Sequence, residues 1–254
     1  MLLARISDIP YQLASTRVET VETLNQYFLL VPSHVREVYI YYLLRNPPES
    51  VMHLRREPPP TYKPKKRPND EDDDDEPAFL PPPTIIFVTH PRTAAYLTTF
   101  LQHLNIQASA LHSHLSQPAR LASLQLFRSS IAPVLICTDV ASRGLDIEDV
   151  GMVINWDMPI GKLRKKFLDR QKARHTEKRK GKRVAEPSAA DKPASEESED
   201  EDDVGGAEEY VHRVGRTARM GRGGVAISFV TEREEDATMV LKIEERIREY
   251  ISFS

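Results

Sequence analysis

Apolar residues follow two patterns along this chain, and the two patterns alternate. Dense apolar runs, several rich in β-branched residues, predict buried strands, and they cover residues 25–31, 84–89, 108–112, 133–140, 151–157 and 224–230. Apolar residues at helical spacing predict helices, and these cover residues 32–45, 91–104, 117–130, 209–216 and 231–251. Strands that alternate with helices indicate an α/β fold, in which a mostly parallel sheet carries helices on both faces. Ligands of such sheets bind beyond the carboxyl ends of the strands.

Two segments fit neither pattern. Residues 46–83 are rich in proline and contain the acidic run DEDDDDE at 70–76, and residues 161–207 begin basic and end acidic. Proline removes backbone donors and blocks helix and sheet interiors. Highly charged stretches with few apolar residues do not bury enough surface to fold. We therefore expect two long disordered inserts, although the basic first half of the second is also compatible with an exposed helix.

Composition narrows the function classes. The 254 residues carry a net charge of −3, which argues against a uniformly basic nucleic-acid binder. The acidic run at 70–76 accounts for this negative charge, however. The rest of the chain carries a net positive charge. Cys137 is the single cysteine, so an internal disulfide is excluded and a zinc site is not expected. No apolar run approaches the roughly 20 residues of a membrane helix, and the first ten residues do not resemble a signal peptide.

One row of arginines suggests an anion site. In HRVGRTARMGR, residues 212–222, Arg213, Arg216, Arg219 and Arg222 recur every three residues. Residues three apart lie on one face of a helix, so a helix that continued to residue 219 would carry a ridge of guanidinium groups. Phosphate suits such a ridge because it pairs with the planar guanidinium fork. The alternative is a solvated basic face.

Two further stretches end predicted strands with polar residues. Gln117 and Arg120 fall on the first turn of a helix, where backbone N–H groups favour an anion. In ICTDVASRGLDI, residues 136–147, Thr138 and Arg143 could donate to phosphate, and Asp146 could accept from a ribose hydroxyl. An ordinary polar helix start and an ordinary polar loop are the alternatives. The nearby pair His112 and His114 has no third metal ligand, so we interpret both as solvated loop histidines.

These motifs, taken in order, resemble one family. TIIFVTH (84–90), the QPAR segment (117–120), TDVASRGLDI (138–147), INWDMP (154–159) and HRVGRTAR (212–219) are similar to motifs of the second RecA-like domain of DEAD-box ATP-dependent RNA helicases. The resemblance covers residues 21–254 apart from the two inserts, after a lead-in at 1–20. The segment TVETLNQYFLLVPSHVREVYIYYLL resembles the branch of the family that acts on pre-ribosomal RNA, which implies a nuclear, nucleolar location.

The resemblance implies roles for the matching residues. Arg216 and Arg219 match catalytic arginine fingers that reach the γ-phosphate of ATP, and Asp146 matches a nucleotide-binding residue. RNA-backbone contacts are implied for Gln117, Arg120, Thr138 and Arg143. His212 and Arg213 match positions that couple the two domains. His90 departs from the family pattern, which has threonine there, so an RNA contact at that position is not expected from the motif.

The sequence lacks the other half of such a site. No G-x-x-x-x-G-K-[ST] phosphate loop and no Asp-Glu-Ala-Asp stretch are present, so the first RecA-like domain, which would hold ATP and Mg²⁺, is missing. We expect the C-terminal half of a longer helicase that is inactive alone, binds RNA without sequence preference, and works with a first domain in cis and a pre-ribosomal activator protein. The alternative is a non-catalytic adaptor that binds RNA or a partner protein, with the basic stretch 162–183 as its main RNA or nuclear-import determinant.

Overall fold

A single parallel sheet organises the residues that the computed structural model describes, which are 24–59, 80–139, 147, 150–159, 206–219 and 222–252. Its strands are β1 (Leu24–Leu30), β2 (Thr84–Val88), β3 (Ala108–Leu111), β4 (Val134–Thr138), β5 (Met152–Asn155) and β6 (Gly224–Val230). Their spatial order is β1-β6-β5-β2-β4-β3, and every pair is parallel. The predicted α/β fold with a parallel sheet is confirmed.

Helices cover both faces of this sheet. They are α1 (Arg36–Arg45), α2 (Glu49–Met52), α3 (Pro91–His103), α4 (Gln117–Arg128), α5 (residues 206–214) and α6 (Glu234–Ser252), and a 3₁₀ turn, Ser33–Val35, precedes α1. Buried side chains of α1, α2 and α3 form one core with one face of the sheet, and those of α4, α5 and α6 form a second core with the other face. Such a sheet needs apolar residues at every strand position, which explains the continuous apolar runs.

Alternate residues of a strand enter opposite cores. Ile85 and Phe87 of β2 pack in the core beneath α4, α5 and α6, whereas Ile86 and Val88 pack beneath α1, α2 and α3. Successive side chains of a strand point to opposite faces, so this division follows from the strand geometry. The four inner strands, β6, β5, β2 and β4, are buried along their whole length.

Helix starts close the carboxyl edge of the sheet. Pro91 occupies the first turn of α3, where its missing N–H costs little. Ser116 caps α4 by accepting a hydrogen bond from the Ala119 N–H at 3.4 Å. In the first turn of α6, Asp236 accepts hydrogen bonds from the Thr231 N–H at 3.0 Å and from the Thr231 hydroxyl at 2.5 Å. The segment after β6 is therefore fixed by a carboxylate.

The predicted disordered segment 46–83 is wrong for part of its length. Residues 46–59 and 80–83 are described, and they include the helix α2. Val51 of α2 is fully buried and Leu54 packs against the same core, while the Pro83 carbonyl accepts from the Gly151 N–H at 2.8 Å. The prediction relied on the many prolines of this segment and did not take account of the apolar residues Val51 and Leu54. Residues 60–79, and nearly all of the predicted second insert at 161–207, lie outside the described residues.

Membrane association through a spanning helix finds no support in the described part of the chain. None of the helices described there is both long and apolar enough to cross a bilayer.

Candidate functional site

Three neighbouring strands deliver polar residues to one edge of the sheet. Thr89 follows β2, Asp139 follows β4, and Asp157 lies two residues beyond β5. Since β5, β2 and β4 are adjacent and parallel, these residues meet at the carboxyl edge. Buried backbone groups at this edge need hydrogen-bond partners. Side chains of the flanking helices supply two of them, since Arg36 donates to the Trp156 carbonyl and Arg213 to the Asp157 carbonyl.

Arg213 of α5 is the centre of this polar edge. Its Nε donates to Asp139 Oδ1 at 2.6 Å and its Nη2 donates to Asp139 Oδ2 at 2.8 Å, which makes a two-pronged ion pair. Nη1 donates to the Asp157 carbonyl at 2.7 Å and to Asn155 Oδ1 at 3.2 Å. The guanidinium also lies 5.2 Å from the centre of the Phe87 ring. Every prong of this cation therefore has a partner.

The electrostatics of Arg213 follow from that arrangement. The residue is only 2% exposed. Burial alone lowers the pKa of Arg213, but the Asp139 carboxylate raises it, with smaller contributions from Glu209 and Asp157, and the resulting pKa lies above the ordinary value. Arg213 is therefore held as a cation, and the anion that it meets is an internal carboxylate.

The predicted ridge of arginines is not formed. The helix α5 ends at residue 214, and tight turns follow, in which the Arg216 N–H donates to the Arg213 carbonyl at 3.2 Å. The Gly215 N–H still donates to the Val211 carbonyl at 2.9 Å, and beyond it the chain leaves the helical path, with Ala218 in the left-handed region at φ 56°. Arg213 points into the protein, Arg216 is partly exposed and Arg219 is exposed. Arg219 Nε donates back to the Gly215 carbonyl at 2.9 Å.

The turn that carries Arg216 and Arg219 is tied to the sheet. The Thr217 hydroxyl lies 2.6 Å from the Val150 carbonyl and 3.0 Å from the Gly151 carbonyl, just before β5. Burial is the largest influence on the pKa of the Cys137 thiol and raises it, Asp139 raises it further, and the charges of Arg213 and Arg216 oppose them. The positive charges of Arg213 and Arg216 therefore both act on this part of β4.

The predicted RNA-contacting residues begin at the same edge. Thr138 ends β4 and is 4% exposed, and Gln117 and Arg120 lie on the first turn of α4. Leu111 at the end of β3 pairs with Cys137, so the start of α4 follows a strand that adjoins β4. Thr138 and Arg213 are brought together through Asp139, whereas His212 is exposed on α5. Arg143 and Asp146 lie outside the described residues.

The interpretation of His112 as a solvated loop residue is wrong. His112 directly follows β3 and is 8% exposed, and its ring centre lies 6.0 Å from that of the exposed His114. Burial lowers the pKa of His112, and His114 adds to this effect. Among the described residues, no group of three or more histidine, cysteine, aspartate or glutamate side chains could hold a metal ion.

A second ion pair lies on the α1 side of this edge. Arg36 Nη1 donates to Asp157 Oδ1 at 3.2 Å and to the Trp156 carbonyl at 3.1 Å, and the guanidinium lies 4.5 Å from the centre of the Trp156 ring. The other oxygen, Asp157 Oδ2, accepts from the Thr89 N–H at 2.8 Å. Sequence reasoning missed Arg36, Asp139, Asn155 and Asp157 as parts of the edge. Asp139, Asn155 and Asp157 stand inside quoted motifs and Arg36 stands inside the quoted segment 20–44, but the resemblance implied no role for any of the four.

The family is settled by comparison with known domains. Residues 80–221 match the family described as "Helicase conserved C-terminal domain". The chain belongs to this helicase family. The matched range includes β2 to β5, α5 and the turn with Arg216 and Arg219. It thus contains Arg213 and its partners Asp139, Asn155 and Asp157, and the resemblance to the DEAD-box second RecA-like domain is confirmed.

Relatives of this helicase domain are considerably longer than the chain itself. "ATP-dependent RNA helicase DBP8" of Mycosarcoma maydis is 39% identical over 249 residues, and the match covers 90% of this chain and 38% of that protein. "DEAD-box ATP-dependent RNA helicase 36" of Oryza sativa is 33% identical, with 89% of this chain and 30% of that protein covered. The chain therefore spans about a third of the length of these relatives.

A solved structure supports the fold. The crystal structure of a DEAD box protein from the hyperthermophile Methanococcus jannaschii superposes with a TM-score of 0.54 at 21% identity. The match covers 89% of the helicase domain and 40% of that chain. At this identity the likeness establishes the RecA-like architecture, in agreement with the sheet order described above.

Proposed function

We propose that this domain is the second RecA-like half of an ATP-dependent RNA helicase. In this proposal Arg216 and Arg219 reach the phosphates of ATP, which a first RecA-like domain elsewhere holds together with Mg²⁺. Gln117, Arg120, Thr138 and Arg143 contact the RNA backbone, Asp146 contacts the nucleotide, and His212 with Arg213 couples the two sites. Relatives named ATP-dependent RNA helicases, with 33–39% identity, support this assignment.

The observation that carries the proposal is a difference in burial among the arginines of one motif. Arg213 is buried and neutralised by Asp139, so it anchors the end of α5. Arg216 and Arg219 follow on a turn that Thr217 ties to the sheet, and both reach the surface to some degree. A fixed turn that presents guanidinium groups suits a developing phosphate charge, because the groups need no reorganisation during the reaction.

Each residue group has a defined chemical task under this proposal. A guanidinium that contacts the transferring phosphoryl group stabilises the charge that spreads over its oxygens. Contacts to RNA phosphate and sugar position a strand without reading its sequence. ATP and RNA would close the two domains, and closure would bend one RNA strand and separate the duplex locally. We place this activity in pre-ribosomal RNA processing, in the nucleus and nucleolus, with RNA and an activator protein as partners.

A chimera tests the proposal directly. This chain would replace the matching part of the Mycosarcoma maydis relative, and RNA-stimulated ATP hydrolysis would be measured for Arg216→Ala and, as a matched control, Arg222→Ala. We expect a loss on the order of 10³-fold for Arg216→Ala, the size of an arginine-finger effect, and little change for Arg222→Ala. Undiminished hydrolysis by Arg216→Ala would contradict the proposal, whereas a chimera without any RNA-stimulated hydrolysis would favour the non-catalytic adaptor.

A further inference from the structure

Asp157 makes hydrogen bonds to three different parts of the fold. Its Oδ1 accepts from Arg36 of α1 at 3.2 Å and its Oδ2 accepts from the Thr89 N–H, just after β2, at 2.8 Å. Its backbone carbonyl accepts from Arg213 Nη1 of α5 at 2.7 Å. One residue thus joins the segments beyond β2 and β5 to helices on both faces of the sheet.

Hydrogen bonds to β2 also fix the backbone of Asp157. The Trp156 N–H donates to the Phe87 carbonyl at 3.0 Å, and the Asp157 N–H approaches the same carbonyl at 3.4 Å. Arg36 covers the Trp156 ring at 4.5 Å while it pairs with Asp157. The carboxylate and the carbonyl of Asp157 therefore cannot move independently, since side-chain and backbone bonds fix the same residue.

The surroundings make these bonds strong. The side chains of Arg36 and Asp157 are 15% and 20% exposed, so solvent screens their attraction only partly. Both carboxylate oxygens accept hydrogen bonds, one from a cation and one from a backbone N–H, and bonds to an ionised acceptor are stronger than neutral ones. An amide in place of the carboxylate would keep the shape but would satisfy only one of the two donors.

We infer that Asp157 is a positioning residue that locks Arg213, and through it the turn with Arg216 and Arg219, to the segment that leads from β2 into α3. This inference deepens the proposed function and rests on it for its catalytic consequence. Asp157 touches neither nucleotide nor RNA in this account. It acts by making the phosphate-facing turn and the start of α3 respond as one unit when the domains close.

The physical part of the inference is tested on the 254-residue chain by NMR hydrogen exchange. Asp157→Asn removes the charge, and Asp236→Asn is the matched control, because Asp236 also caps a backbone N–H just after a strand. We expect the Thr89 amide to exchange about tenfold faster in Asp157→Asn, the effect of losing a charged hydrogen bond. We also expect faster exchange of the Arg213 Nε–H, with neither change in Asp236→Asn.

The catalytic part is tested in the chimera described above. If Asp157 acts through Arg213, Asp157→Asn lowers kcat about tenfold or more, because misplaced catalytic groups lose rate steeply, and it changes the KM for ATP little. Exchange changes confined to Thr89 and Arg36, with kcat unaltered, would overturn the inference. Should Asp157→Asn not fold, Arg36→Gln removes one partner and must change the same Arg213 signal in the same direction.

The two proposals fail in different ways. If Arg216→Ala keeps full hydrolysis while the Arg213 signal still responds to Asp157→Asn, the proposed function is wrong and the positioning role of Asp157 stands. If Arg216→Ala is inactive but Asp157→Asn changes neither the exchange of the Arg213 Nε–H nor kcat, the proposed function stands and the positioning role is wrong.

Discussion

Arg213 shows how much a single side chain depends on its distant partner. Asp139 lies 74 residues earlier in the chain, yet its two oxygens receive both prongs of the guanidinium. Taking both charges out of water is costly, and their attraction repays this cost only when the geometry is good. The value of the pair to the fold is therefore best measured by breaking it, since one partner would then be left buried and charged.

Removal of Arg213 alone is expected to be severe. Arg213→Met should lower the free energy of unfolding by about 3–5 kcal/mol, because Asp139 then loses its counter-charge in a buried site. The double variant Arg213→Met with Asp139→Leu should recover most of this loss, because no unpaired charge remains. Urea unfolding followed by circular dichroism measures both. Equal losses in the single and double variants would show that packing, and not the ion pair, dominates.

At the scale of elements, a clasp joins the segments that follow two neighbouring strands. Glu232, after β6, accepts a hydrogen bond from the Ser33 N–H at 2.9 Å and another from the Ser33 hydroxyl, at the start of the turn before α1. These hydrogen bonds, that from the Ser33 side chain first, lower the pKa of Glu232 from 4.5 to about 2. The clasp therefore ties the segment after β6 to the turn that leads from the edge strand β1 into α1.

The clasp predicts an acid-dependent loss of stability. The folded pKa of Glu232 is below its unfolded value, so its contribution is fully present above pH 4.5 and disappears as the pH falls towards about 2. Glu232→Gln should therefore flatten the pH dependence of the urea midpoint across this window. Glu57→Gln, at another exposed carboxylate, should leave it unchanged. The same slope in wild type and Glu232→Gln would contradict the clasp.

The elements of the fold were largely predictable from local pattern. Strands such as β2 and β4 are continuous apolar runs because both their faces are covered, and this signal needs no knowledge of partners. The failures arose where one local feature dominated the prediction. Prolines hid the short helix α2 and its buried Val51, and the three-residue rhythm of the arginines suggested a helix longer than α5.

At the scale of the whole molecule, the site was predictable as a set of motifs but not as a set of contacts. The motifs placed Thr138 and Arg213 in the site, yet the pairing of Arg213 with Asp139 and Asn155 depends on strand order. Strand order follows from how all the elements pack, and a single stretch does not contain it. No motif implied a role for Arg36, because its role comes from the position of α1 beside Trp156 and Asp157.

Cys137 reports on the integrity of the whole sheet. It is the single cysteine, it lies in β4 with strands on both sides, and it is fully buried. Burial raises the pKa of its thiol, so almost no thiolate exists in the native protein. A thiol reagent at pH 8 should therefore react only with molecules whose central strands have separated.

The labelling rate should accordingly follow global unfolding. It should rise with urea in proportion to the unfolded fraction, and Arg213→Met should accelerate it in native buffer in line with its loss of stability. Glu232→Gln should accelerate it less than Arg213→Met does, because hydrogen bonds of an exposed carboxylate contribute less stability than a buried ion pair. Rapid labelling of the wild-type chain without denaturant would mean that β4 opens locally, and a parallel sheet closed on both faces by helices would then be the wrong description of its dynamics.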